Sequence, residues 1–449
     1  MGGLPLQGES FGVGRFSASA AAAAGGGGGG DAAAVMQPPQ RPRAAPPGQQ
    51  AVYIVSVVRS PLGAFMGGLS PLSATDLGAA VIKAALQRGR VPPGAVGEVL
   101  MGNVVSAGLG QAPARQASLK AGLPLAVDCT TINKVCSSGL KAIMLGAQSI
   151  AVGTNSVVVA GGMESMSNIP YYAPSLRAGA RLGHAQLVDG MIQDGLWDAF
   201  HDIHMGECAE MCAEQLGIGR AEQDEHAIAS VERARAATAA GLVDWEVTGI
   251  EVPAKGGGTQ LFAEDEAIHK MNADKLRKLK PFFRPQSGTV TAGNASPISD
   301  GAAAVVLASA EAVRRHGLPV LGRVLGFGDA AVDPRDFPTA PTLAIPKALD
   351  AAGLSAEHVD YWEINEAFSV VDLANRKLLK LDPARVNVFG GAVAIGHPIG
   401  ASGTRLIVTL LNVLRCKQGR VGVAAICNGG GGASAMVVER LDAVPDLDQ

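Results

Sequence analysis

The chain has 449 residues, 47% of them hydrophobic, and a formal net charge of −3. That length allows two or three domains around a large core. The near-neutral balance argues against nucleic acid as the main partner, and no run reaches the ~18 apolar residues that a membrane-crossing helix needs. Six cysteines with no secretory signal read at the start point to free thiols in a reducing compartment.

Residues 1–50 are low in complexity: Ala18 to Ala24, then Gly25 to Gly30, then QPPQRPRAAPP. This composition cannot bury enough apolar surface to form core, so a disordered extension is expected. Arg15, Arg41 and Arg43 outnumber Glu9 and Asp31, which keeps an organelle transit peptide open. The expected location is cytoplasmic, with mitochondrial or other organelle import through residues 1–50 as the alternative. Neither a myristoylation pattern nor a peroxisomal SKL-type end is present.

The body opens on AVYIVSVVRSPLG, a β-branched run suited to a fully buried strand. A helix is predicted over Asp76 to Arg88 behind the capping candidates Ser73 and Thr75. A strand follows over Val96 to Val105, then the stretch NKVCSSGLKAIMLGAQSI (Asn133 to Ile150), then the strand of NSVVVAGGMES. Strands alternating with helices imply an α/β fold whose sheet is parallel or mixed and covered on both faces. From Asn168 to about residue 290 the chain is more polar and holds most of the histidines. A charged helix is predicted over Ala221 to Ala240 and a basic run lies at Lys270 to Lys280, so this segment reads as a loop domain inserted for substrate binding. The α/β pattern returns from Leu321 to Arg440. There GASGTRLIVTLLNVLRCKQGRVGVAAICNGG, from Gly400, repeats the order of the stretch from Cys136: glycine loop, helix, hydrophobic strand, glycines. With Gly139 set over Gly403 the second copy is four residues longer, and the repeat implies two similar halves.

The chemistry gathers at three glycine-rich places. Cys136 precedes an apolar stripe of Leu140, Ile143, Met144, Ala147 and Ile150, which puts its thiol at a helix N-terminus, where thiolate is favoured. His397 sits in NVFGGAVAIGHPIGASGT, and Cys427 ends a buried-strand run before Gly429 to Gly432. A thiol, an imidazole and backbone free to approach a ligand suggest covalent acyl transfer with oxyanion holes made of N–H groups. The bland alternatives are packed cysteines and a loop histidine satisfied by backbone.

Seven ordered motifs, NKVCSSG, GGMESMSN, HMGECAE, GTVTAGNAS, NEAF, GGAVAIGHPIGASG and CNGGGGASA, span residues ~51 to 440 and resemble the thiolase family. The resemblance implies two α/β halves of like topology packed face to face with an inserted loop domain, divided as 51–316 (insertion at about 168–290), 317–440 and a tail at 441–449. It implies reversible condensation of two acetyl-CoA to acetoacetyl-CoA. In that scheme Cys136 carries the acetyl group, His397 is its base and Cys427 moves the α-proton. His397 with a water held by Asn365 would form one oxyanion hole, and the backbone N–H groups of Cys136 and Gly429 the other, with Glu366 read as an orienting group or, alternatively, a capping or solvated carboxylate. His204 and Met205 would line a short acyl pocket, and Lys275 and Ser296 would touch coenzyme A. Coenzyme A thioesters are then substrates, no separate cofactor or metal is expected, and the partners reduce to these thioesters and to further copies of the chain in a homodimer or homotetramer. Val231 stands where some relatives carry a potassium-site tyrosine, so potassium activation is not predicted. His201, His204, Cys208 and Cys212 have ligand-like spacing, a competing metal reading. Cys129, Cys208, Cys212 and Cys416 receive no role. The rival functions are a longer-chain 3-ketoacyl-CoA thiolase, a non-catalytic acyl-CoA or lipid carrier, and a decarboxylative condensing enzyme, the last disfavoured by the second cysteine.

Overall fold

The computed structural model describes residues 50–254 and 256–443. The disorder expected of residues 1–50, Gln50 apart, and most of the tail at 441–449 lie outside the described residues.

The first half begins with β1 (Val52–Arg59), α1 (Ala74–Gly89), β2 (Glu98–Gly102), α2 (Pro113–Lys120), β3 (Asp128–Ile132), α3 (Ser138–Ala151) and β4 (Val157–Ser165). Ser73 caps α1 with a complete capping box: its hydroxyl accepts from the Asp76 N–H and the Asp76 carboxylate returns to the Ser73 N–H. An insertion carries α4 (Met205–Leu216) and α5 (Arg220–Ala239), and β5 (Ser299–Ser309) closes the half. The second half holds β6 (Gly322–Ala331), α6 (Pro341–Ala352), β7 (Tyr361–Ile364), α7 (Ser369–Leu379), α8 (Ile399–Cys416), β8 (Val421–Asn428) and β9 (Gly432–Arg440).

The strands lie in one mixed sheet in the order β7-β8-β9-β6-β1-β5-β4-β2-β3. In the first half β4 and β3 run parallel to β2, while β5 and β1 join antiparallel. The second half repeats this, with β7 parallel to β8 and then β9 and β6 antiparallel. Val386 makes a parallel bridge to Trp362 at the place of β3. The halves are also stitched at one edge, where Tyr53 and Ile54 of β1 pair with Arg323 and Gly322 of β6.

Three apolar layers explain why the strands are hydrophobic throughout. Tyr53, Val55 and Val58 of β1 face α1 and α2, while Val52, Ile54 and Val57 face α3 and α8. Likewise Ala424 and Ile426 of β8 face α3 and α8, while Val423 and Ala425 face α6. The period of two, reset in β1 by a bulge between Ile54 and Ser56, sends alternate side chains to two buried faces. The middle layer is shared: Leu140, Ile143 and Met144 of α3 mesh with Leu406, Ile407 and Leu410 of α8 between the two half-sheets. The face-to-face packing implied by the repeat therefore takes the form of two half-sheets facing across one helix pair.

Glycine sets how closely that pair can cross. A Cβ on Gly139 would stand 2.6 Å from Thr404 Oγ1, and one on Gly403 would stand 2.4 Å from the Leu140 nitrogen. Each glycine is thus covered by the residue after its counterpart, as near-two-fold symmetry requires. The close crossing brings the two helix N-termini, and the loops leading into them, to one place.

Candidate active site

The first of those loops ends in Cys136. Val135 has φ +47°, a left-handed conformation that is costly for a β-branched residue. The tight turn it makes is closed by Ser137 and Ser138 N–H groups donating to the Lys134 and Val135 carbonyls. Lys134 anchors the turn to the second half: its ammonium pairs with Asp329 and donates to Ser434 Oγ at 2.8 Å and the Ala433 carbonyl at 3.2 Å. Lys141 reaches the other Asp329 oxygen at 2.7 Å.

The second loop carries His397. Gly396 precedes it at φ +117°, and a Cβ there would fall 2.2 Å from Ser299 Oγ. His397 Nδ1 lies 2.6 Å from Ser402 Oγ, whose own proton goes to the Pro398 carbonyl at 3.0 Å. Ser402 therefore accepts from Nδ1–H, which leaves Nε2 as the basic nitrogen. Asn365 Nδ2 lies 3.4 Å from Nε2. Burial, and then the Arg405 guanidinium, push the imidazole down to about 3, so it is neutral and able to accept a proton.

The third loop follows Cys427. The backbone N–H groups of Gly429 and of Cys136 itself lie near the Cys136 sulfur and favour its thiolate. Gly430 and Gly431 take φ +79° and +80° to turn β8 into β9. Cys427 is 1% exposed, and burial and then the neighbouring Cys136 thiol push its own thiol well up. The expectation of a resting thiolate at Cys136 is corrected here. Burial raises its thiol to about 11 despite the two N–H donors, because desolvating a charge outweighs the partial charges of a helix end.

A cavity of about 440 Å³ opens over these loops, lined by Cys136, His397, Gly429, His204, Met205, Ser296 and a mainly apolar wall including Met191, Leu196, Phe282, Phe283, Phe337 and Phe368. Cys427 and Asn365 lie buried behind it. His204 caps α4, its Nδ1 accepting from the Gly206 N–H at 3.0 Å, and its ring lies against Phe283 with centroids 4.7 Å apart. Ser296 Oγ donates to the Ala367 carbonyl at 2.8 Å. Lys275 is exposed on a one-turn helix outside the cavity wall; its neighbour Leu276 meets Gly293 in the loop whose Thr291 and Ala292 line the cavity. Lys270 pairs with Glu266, and Arg277 with Glu225.

Glu366, beside Asn365, is a hub. It accepts from Ser230 Oγ at 2.8 Å, the Val393 N–H at 3.1 Å and Asn387 Nδ2 at 3.1 Å, with His226 Nε2 at 3.2 Å. Burial opposes its ionisation, but the His226 charge and these donors hold it below the ordinary carboxylate range. The metal reading does not assemble: His204 stacks on Phe283, while Cys208 and Cys212 sit in an apolar cluster with Val370 and Phe368. Among the described residues no group of three or more His, Cys, Asp or Glu side chains is placed to hold a metal ion. Val231 is buried beside Leu62, Ile268 and Ala394.

Reading the sequence missed Ser402, whose contacts are local, and Lys134 and Arg405, whose contacts cross between distant segments. Only Ser402 left a local signal, a hydroxyl one turn into the helix that follows His397.

Residues 52–311 match the thiolase N-terminal domain and residues 318–440 the thiolase C-terminal domain. Acetyl-CoA acetyltransferase 2 of Arabidopsis thaliana is 57% identical over 391 residues, 87% of this chain and 97% of that protein. A cytosolic acetyl-CoA acetyltransferase of Gibberella zeae is 54% identical over 391 residues, 87% of this chain and 98% of that one. Relatives whose names carry the word mitochondrial match at 50–51% identity. Among solved structures, a thiolase of Ascaris suum in complex with coenzyme A superposes with a TM-score of 0.83 at 47% identity, covering 87% of this chain and all of that one. No helix among the described residues is long and apolar enough to cross a membrane. With family matches spanning both halves and relatives above half identity along nearly their whole length, the chain belongs to the thiolase family.

Proposed function

We infer that this protein is an acyltransferase that condenses two acetyl-CoA reversibly to acetoacetyl-CoA and coenzyme A. The observation that carries the residue assignments is the meeting of Cys136, Gly429 and His397 in the wall of one cavity, with the N–H groups of Cys136 and Gly429 near the Cys136 sulfur and Asn365 Nδ2 3.4 Å from His397 Nε2. In our reading His397 Nε2 takes the Cys136 proton as the sulfur attacks the thioester carbonyl of a first acetyl-CoA. The two N–H groups hold the developing oxyanion. The departing coenzyme A thiolate takes the Cys427 proton, so the site is left with acetyl-Cys136, an imidazolium at His397 and a thiolate at Cys427. That thiolate is a strong base, because burial holds its pKa high. It removes an α-proton from a second acetyl-CoA, whose thioester oxygen is stabilised by the imidazolium and by a water on Asn365. The carbanion attacks acetyl-Cys136, and the released Cys136 thiolate recovers its proton from His397. Protons balance over the cycle, and the product is acetoacetyl-CoA.

His204, Met205 and the phenylalanine wall would hold the short acyl chain and pantetheine arm, with Ser296 and Lys275 towards the rest of coenzyme A. The assignment needs no metal or other cofactor, and full activity after chelation would agree with that. We propose a homodimer or homotetramer, read out by light scattering. We also propose a cytoplasmic location, supported by the sparse basic residues of 1–50, and a reporter fused to them and imported into an organelle would overturn it. The decisive experiment is mass spectrometry after mixing with acetyl-CoA. A 42-dalton adduct, about the mass of an acetyl group replacing a proton, is expected on Cys136 and absent in Cys136→Ser. An adduct on another cysteine would refute the assignment.

A further inference from the structure

Behind the cavity lies a charge that the scheme above does not use. Arg405, one turn beyond Ser402 on α8, is 2% exposed. One guanidinium nitrogen reaches Glu363 Oε2 at 3.1 Å and the other reaches Asn365 Oδ1 at 3.4 Å. As a device for stability this ion pair is poor. Arg405 Nε and Glu363 Oε1 are both buried without a hydrogen-bond partner, and burial pushes Glu363 up to about 8 against the pull of Arg405. A buried pair so incompletely satisfied contributes little to folding, and apolar residues of similar volume often replace such pairs without loss. Its placement suggests a different purpose.

We propose that Arg405 is a positioning residue for Asn365 and His397, fixing the Asn365 amide with its NH2 towards His397 Nε2 and opposing an imidazolium there until substrate is bound. The geometry gives the first part. Arg405 has only donors, so it selects the Asn365 oxygen, and the amide nitrogen must face the histidine. A flipped amide would present its oxygen to the Nε2 lone pair in the resting state. After proton transfer that oxygen would capture the Nε2 proton intended for the thioester oxygen. Electrostatics gives the second part: a guanidinium and an imidazolium in one buried region repel. The charged groups around Arg405 are Glu363 on β7, Glu366 in the following loop, Glu246 after α5 and Arg59 on β1. Those acids moderate its charge without cancelling it, since burial and then Arg405 are what hold His397 down. The consequence is a resting Cys136 that is a thiol rather than a thiolate–imidazolium pair, and a protonated His397 that is a strong acid towards the departing Cys136 sulfur.

This inference rests on the reading of Cys136 and His397 given above, and its test separates the two. The rate at which iodoacetamide alkylates Cys136 is followed by mass from pH 5 to 10 in the unsubstituted enzyme, Arg405→Lys, Arg405→Met, His397→Ala/Arg405→Met and the paired Glu363→Leu/Arg405→Met, which leaves no unpaired buried acid. In Arg405→Met and in Glu363→Leu/Arg405→Met, both of which keep His397, the alkylation profile of Cys136 should gain a neutral-pH plateau, because a raised His397 lets the thiolate form beside an imidazolium. Arg405→Lys keeps the charge and should keep the original profile. His397→Ala/Arg405→Met should lose the plateau. Turnover of the two variants that keep His397 but lose the guanidinium should fall on the order of 10²-fold in kcat with KM little changed. Unchanged alkylation profiles in both of those variants would overturn the inference, whatever happens to turnover. Absence of acetyl-Cys136 in the unsubstituted enzyme would instead overturn the reading beneath it.

Discussion

In the mechanism proposed above two side chains divide the chemistry between them. Cys136 lines the cavity beside Gly429 and Cys427 is buried away from water, so the first is assigned the acyl group and the second the role of strong base. Cys427→Ala should therefore still accept an acetyl group on Cys136 but fail to condense it, losing ~10²–10⁴-fold in acetoacetyl-CoA formation. Acetyl labelling by mass and product formation by absorbance measure the two halves, and near-normal condensation would mark Cys427 as a packing residue. Ser402 matters through the tautomer it selects. Its loss in Ser402→Ala leaves the His397 Nδ1–H without its acceptor, so the ring can swap tautomers. Acetylation of Cys136 should slow by about tenfold or more with little change in thermal stability, because a positioned proton acceptor contributes far more to rate than one hydrogen bond does to folding. Stopped-flow measurement of coenzyme A release reads this step.

At the level of elements, the site depends on how α3 crosses α8 and on how the Cys136 turn is tied down. Gly403→Ala should destabilise the protein by about 1–3 kcal/mol, the usual cost of overpacking, because the added methyl meets backbone at Leu140 rather than a movable side chain. Denaturant unfolding gives the number, and acetylation should suffer too, since the same crossing sets the two catalytic loops. Asp329 ties Lys134 and Lys141 to β6. Burial works against its ionisation, yet hydrogen bonds from Lys134, Lys141 and Ser434 hold it down at about 2. A folded-state pKa below the unfolded value means stability that is present above pH ~4 and lost as pH falls towards 2. Asp329→Asn should thus cost about 1 kcal/mol at pH 7, after discounting for its partial exposure, and almost nothing at pH 2. An equal loss at both pH values would show a contribution from shape rather than charge.

Over the whole molecule, the two half-sheets share one buried helix layer and one hydrogen-bonded edge, so neither half is closed without the other. β1 opens the described body two residues after Gln50, and a chain starting at Gln50 should fold and keep full kcat; a folded truncation without activity would give residues 1–49 a catalytic part. Much of this architecture was legible in the sequence. The continuous β-branched runs gave the buried strands, Ser73, one of two capping candidates, gave the start of α1, and the similarity of the Cys136 and Gly400 stretches gave the duplication. Cys136, His397 and Cys427 were legible because glycine density marks backbone that must approach something closely. Chain order could not supply what depends on long-range distance. Lys134 meets Asp329 and Ser434 only after the halves close, and Arg405 meets Glu363 and Asn365 only after α8 packs against β7. Local pattern also gave the wrong sign for the resting Cys136 thiol, since a helix end is visible in sequence whereas desolvation is not. The sequence by itself determined which faces are buried and marked the residues to which we assign the chemistry, because periodicity and glycine placement are local. Tertiary structure alone decided protonation and orientation, because both follow from the charges and donors that folding brings within a few ångströms.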